Sequence, residues 1–130
     1  MDRVSLAMDR RKKGYNCAQA VLCAFSDKTN LSEDDLFRLS EALGGGMGGT
    51  QGICGAVSSM IILAGLIKSY GIDKLPESNK AESYELASEL MAKFEEKNQT
   101  ILCSRLKGEN LRSCDGCIED AVRILEELFK

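Results

Sequence analysis

The stretch Leu43 to Ile67, LGGGMGGTQGICGAVSSMIILAGLI, carries no charged residue, and six of its first ten residues are glycine. Whatever this chain folds into must accommodate a glycine loop that runs directly into a long apolar segment. The segment has about the length of a membrane span, but its glycine-dense first half is a poor helix former. A buried helix from about Gly52 to Ser69 at the centre of a folded domain is the expectation. Its small residues Gly55, Ala56, Ser58, Ser59, Ala64 and Gly65 allow close helix contacts. The loop delivers Cys54 to the start of that helix, where free backbone amides and the positive end of the helix dipole favour a thiolate over a thiol.

Gly44, Gly46 and Gly49 satisfy the G-x-G-x-x-G spacing. A helix and not a strand precedes them, and no Gly-Lys-Ser/Thr follows, so no nucleotide is expected. A tight crossover packed against neighbouring backbone is the better reading.

The remaining periodicity is helical throughout. Val4, Ala7 and Met8 suggest an opening helix closed near Gly14. Asn16 reads as the N-cap of a second helix with Ala18, Val21, Leu22 and Phe25 on one face. Ser32 and Asp35 form an S-x-x-D capping pattern, with Leu31 and Leu36 as a hydrophobic staple. Leu36, Leu39 and Leu43 are then the buried stripe, and Gly44 the C-cap. After Pro76 a long helix carries Ala81, Tyr84, Ala87, Met91 and Phe94 to about Asn98, a turn holds Cys103, and Ser113 or Asp115 caps a last helix. That helix buries Ile118, Ala121, Val122, Leu125, Leu128 and Phe129. The expectation is an all-α bundle of five or six helices forming one domain over residues 1–130. Val57, Ile61, Leu63, Ala64, Leu86, Leu90, Val122 and Leu125 should lie in its core.

A chain of 130 residues is large enough to bury a core without covalent staples, so its six cysteines ask for another explanation. The net charge of -3 offers no basic stripe for nucleic acid, and Arg10 to Lys13 reads as a solvated helix end. Histidine is absent, which removes the commonest general base and the commonest zinc ligand. Covalent haem at Cys114-x-x-Cys117 is excluded as well, because Ile118 stands where the motif needs histidine. The N-terminal residues do not read as a signal peptide, and a cytoplasmic setting with thiols reduced at rest is expected.

Cys17, Cys54 and Cys117 each fall in the first turn of an expected helix, and Cys103 follows the long one. Cys114 and Cys117 form a C-x-x-C pair, a spacing that lets two thiols meet at a helix start. Cys23, beside an apolar stripe, reads as structural.

The pattern Asn16-Cys17-Ala18-Gln19-Ala20-Val21-Leu22, then Gly52-Ile53-Cys54-Gly55-Ala56, then Cys103 with Arg105-Leu106 and Gly108, then Cys117 opening an amphipathic helix, resembles the C_GCAxxG_C_C family. The resemblance spans nearly the whole chain. It implies redox activity and assigns the four family cysteines to Cys17, Cys54, Cys103 and Cys117. The central motif departs in reading Cys-Gly-Ala and in placing Ser59 where the family's closing glycine would stand.

Three functions are consistent with these residues. The first is thiol-disulfide exchange or electron transfer, with Cys54 as nucleophile and Cys17, Cys103 or Cys117 resolving it; such a protein could act as a thiol-disulfide oxidoreductase on a redox partner protein or a small thiol. The second is a carrier or sensor in which the same four cysteines hold a metal or an iron-sulfur cluster. The third is a helical interaction domain whose cysteines only fill space. Either of the first two requires the four sulfurs to converge near the N-terminus of the central helix, with Cys23 outside. The oligomeric state is open between a monomer and a homo-oligomer.

Overall fold

A computed structural model describes residues 2–130. Seven α-helices are formed: α1 (Arg3–Lys12), α2 (Cys17–Cys23), α3 (Glu33–Glu41), α4 (Gly55–Lys68), α5 (Lys80–Asn98), α6 (Cys103–Gly108) and α7 (Cys114–Leu128). Among the described residues there is no β-strand, only an isolated antiparallel bridge between Ile53 and Leu102. The all-α bundle expected from the sequence is thus present; the turn at Cys103 is itself a short helix, which raises the helix count.

The helix starts follow their caps. Asn16 accepts from the Gln19 backbone N–H while the Gln19 side chain accepts from the Asn16 N–H, a complete capping box at 2.9 Å each. Ser32 accepts from the Asp35 N–H at 3.1 Å, and Ser113 from the Gly116 N–H at 2.9 Å. Acidic Glu33, Asp34 and Asp35 fill the first turn of α3, where they meet the positive end of its dipole.

α4 is the hub, packing on α2, α5 and α7, while α2 also rests on α3 and α7, and α1 on α7. Val57, Leu63, Ala64, Leu86, Leu90, Val122 and Leu125 are buried as expected, and Ile61 is packed against the core at its margin. α4 is narrower in its burial than its composition suggests, since Leu66 and Ile67 face outward near its end. No helix is long and apolar enough to cross a membrane.

Three details differ from the sequence reading. Leu39 is 56% exposed rather than part of a buried stripe; α3 buries Leu36 and Ser40, one turn apart, and presents Leu39 outward. The same helix ends at Ala42 and not at Gly44, its last turn tightened by a Leu43 N–H to Ser40 carbonyl bond. α5 buries Leu86, Leu90 and Phe94 as expected, with Asn98 extending their i, i+4 ridge, but leaves Ala81 and Tyr84 of the spaced set exposed.

Leu36 is fully buried at the α3 staple. Leu36→Ala is expected to cost roughly 2 to 5 kcal/mol in urea unfolding, and a near-neutral result would mean that this helix is not anchored there.

Candidate functional site

The glycine loop brings two cysteine-bearing segments together through main chain alone. The Cys54 N–H donates to the Ile101 carbonyl at 2.8 Å, the Cys103 N–H to the Gly52 carbonyl at 2.7 Å, and the Ser104 N–H to the Gln51 carbonyl at 3.1 Å. Gly46 makes this approach sterically feasible. Its φ is +76°, and a Cβ there would stand 2.7 Å from both the Cys103 Cβ and the Gly52 nitrogen. The loop is therefore a crossover packed on backbone, as the absence of a preceding strand implied.

Five of the six cysteines lie at or within one turn of a helix start, and Cys23 closes α2. Cys17, Cys103 and Cys114 occupy the first position of α2, α6 and α7, Cys54 is the N-cap of α4, and Cys117 lies one turn into α7. Gly55 explains the Cys-Gly-Ala order of the central motif. The Cys17 Sγ lies 2.9 Å from where a Cβ on residue 55 would be, so a side chain there would displace that sulfur. Ser59, fully buried, donates its hydroxyl to the Ala18 carbonyl at 2.6 Å, so a polar side chain is satisfied at the α2–α4 contact.

Five cysteines, Cys17, Cys54, Cys103, Cys114 and Cys117, line one cavity of about 20 Å³. Cys54, Cys103 and Cys117 are buried, whereas Cys17 and Cys114 are partly exposed; none of the six cysteines is in a disulfide. Cys23 does not line the cavity and donates its thiol to the Glu33 carbonyl at 3.7 Å. The structure thus brings together the four cysteines singled out from sequence and adds Cys114. A signal for Cys114 was available, since it directly follows the cap Ser113, the place Cys17 holds after Asn16.

Two cations, Lys107 and Arg112, complete the lining. Arg112 is tied across the start of α7 to Asp120 by a bidentate pair at 3.0 and 3.2 Å, and Asn98 donates to the same carboxylate at 3.1 Å. Lys107 makes no ion pair among the described residues. Its ammonium is held more firmly protonated by the Cys114 sulfur beside it, with Cys103 and Cys17 contributing.

Protonation of the inner thiols runs opposite to the expectation for helix-start cysteines. The neighbouring Cys117 thiol and burial push Cys54 up to about 12, against a downward pull from the Cys17 thiol and a smaller one from the Ala56 N–H. Cys17 is raised well above the ordinary thiol range by the adjacent Cys54 thiol and by burial. Burial also raises Cys103, and Lys107 partly offsets it. Backbone amides do reach the Cys17 and Cys54 sulfurs, but burial and the neighbouring thiol that each faces, Cys54 for Cys17 and Cys117 for Cys54, outweigh them. Among the described residues no three His, Cys, Asp or Glu side chains are placed to hold one metal ion.

The family model for a putative redox-active protein, C_GCAxxG_C_C, matches residues 15–128. The chain belongs to this family. The C_GCAxxG_C_C match takes in every cysteine at the cavity and all helices from α2 to α7. No curated protein and no solved structure matches the chain.

Proposed function

We propose that the protein carries out thiol-disulfide exchange, two cavity cysteines passing from dithiol to disulfide as a partner disulfide is reduced. The observation that carries this reading is the meeting of five thiols, from the starts of α2, α4, α6 and α7, on one cavity. Family membership supports redox chemistry of this kind. Cys17, Cys54, Cys103 and Cys117, together with Cys114 on the same cavity, are the proposed reacting set. The partner is a redox protein or a small thiol compound in a reducing, cytoplasmic setting. High thiol pKa values suit such a site at rest: Cys54 and Cys17 stay protonated and unreactive until a neighbouring sulfur becomes part of a mixed disulfide.

Equilibration of the reduced protein with excess disulfide, acid quench, alkylation and peptide mapping tests this. Disulfides should appear only among the cavity cysteines, with Cys23 alkylated in full. Complete alkylation of all six cysteines after equilibration would remove the reading. Stoichiometric metal on anaerobically purified protein would replace it with a cysteine-bound metal or iron-sulfur carrier.

A further inference from the structure

The cysteine cavity has room for roughly one water-sized body. A disulfide substrate therefore cannot enter it; only a sulfur can approach, while the rest of the molecule is held outside. A second recess of about 360 Å³ adjoins it, lined by Leu106, Lys107, Asn110, Arg112 and Ser113. Leu106, Lys107 and Arg112 belong to both walls. The outer recess lies at the small end of the size range of ligand sites, and its polar groups are a cationic pair, an amide and a hydroxyl. Cys114 follows Ser113 directly and is partly exposed, so it stands where the two spaces meet.

Charge at this junction is one-sided. Arg112 is neutralised by Asp120, Asp115 is paired with Arg11 at 3.5 Å, and Glu109 with Arg105 at 2.8 Å. Lys107 is left uncompensated by any carboxylate among the described residues.

Resting on the thiol-disulfide reading above, we propose that the recess beside Lys107 binds the acidic arm of a small anionic disulfide and presents its sulfur-sulfur bond to Cys114. The Cys114 thiolate attacks one substrate sulfur, the substrate bond breaks, and one thiolate leaves and takes a proton from solvent. Cys117, one turn along α7, then gives its proton to solvent and attacks the Cys114 sulfur, breaking the mixed disulfide and releasing the second thiolate, which takes a proton from solvent in turn. Two electrons pass from the dithiol to the substrate, leaving a Cys114–Cys117 disulfide and two small thiols.

The test uses the reduced full chain and three small disulfides differing in charge: those of mercaptopropionic acid (anionic), mercaptoethanol (neutral) and cysteamine (cationic). At low salt the anionic disulfide should react about tenfold faster than the neutral one and the cationic one slowest, a steering effect. The ranking should collapse near 1 M salt, where screening acts over about 3 Å. Lys107→Gln should erase the anionic advantage, so that the anionic and neutral disulfides react at the same rate; Lys107→Glu should reverse the order. Lys107 is exposed, so both variants should keep the helical circular dichroism of the parent. The first mixed disulfide should map to Cys114. Equal rates for the three compounds, or a first adduct on another cysteine, would overturn the recess while leaving exchange standing. If none of the three reacts, exchange itself is withdrawn, and the recess with it.

Discussion

Gly46→Ala should lower the unfolding free energy by roughly 2 to 5 kcal/mol and expose Cys103 to alkylation in the native state. Two costs add at this residue. A non-glycine side chain at a φ of +76° costs about 1–2 kcal/mol. The new Cβ would also collide with the Cys103 Cβ and the Gly52 nitrogen, and overpacking of this kind typically costs about 1–3 kcal/mol. Neither contact is the free end of a flexible side chain, so relief requires the loop and the start of α6 to part. Cys103, now 6% exposed, would then react faster with iodoacetamide. An unchanged urea midpoint together with an unchanged alkylation rate would show that the loop does not hold Cys103 in place.

A second large effect is expected on the alkaline side. In the folded protein Cys54 and Cys17 hold their protons to higher pH than in the unfolded chain. Above the ordinary thiol value of 9.0 the unfolded state therefore binds fewer protons, and stability must fall as pH rises. The contribution is present in full below that value and is lost progressively towards about 12, the pKa of Cys54. Each fully protected thiol can contribute up to about 1.4 kcal/mol per pH unit across this window. Cys23, also pushed up to about 12, acts in the same direction. Unfolding midpoints of the reduced protein between about pH 8 and pH 11 measure the slope, and a Cys17→Ser, Cys54→Ser double variant should flatten it. If that variant loses stability as steeply as the parent, the two thiols are not its source.

Local capping signals were the most legible part of the fold. Asn16, Ser32 and Ser113 each start a helix because a short polar side chain can accept from an amide two or three residues on, a relation wholly contained in neighbouring sequence. Burial was less legible where two helical faces compete. Sequence spacing offers α5 two overlapping ridges, Tyr84 with Ala87, Met91 and Phe94, and Leu86 with Leu90 and Phe94; the second is buried as expected and Tyr84 is exposed, and which ridge wins depends on what α4 and α7 offer opposite. The same limit governs the thiols. That Cys17 and Cys54 begin helices can be read from residues beside them, so amide stabilisation was foreseeable. The approach of Cys54 to Cys17 and of Cys117 to Cys54 arises from segments distant in sequence, and that approach, with burial, sets the sign of each shift. Cys114, noted for its C-x-x-C spacing, stayed outside the candidate set because family resemblance points to Cys117 within that pair, although the position after the cap is the one shared by Cys17 and Cys114.

The bridge between residues 51–54 and 101–104 consists only of peptide groups. The separation of Cys54 from Cys103 is thus written in an alphabet that side chains do not spell. Ile53 and Leu102 pair across it without supplying any of its hydrogen bonds, and Leu102 is 40% exposed. A change of side chain at the exposed position 102 can therefore leave the two sulfurs in register, because what aligns them is main chain that every residue but proline carries.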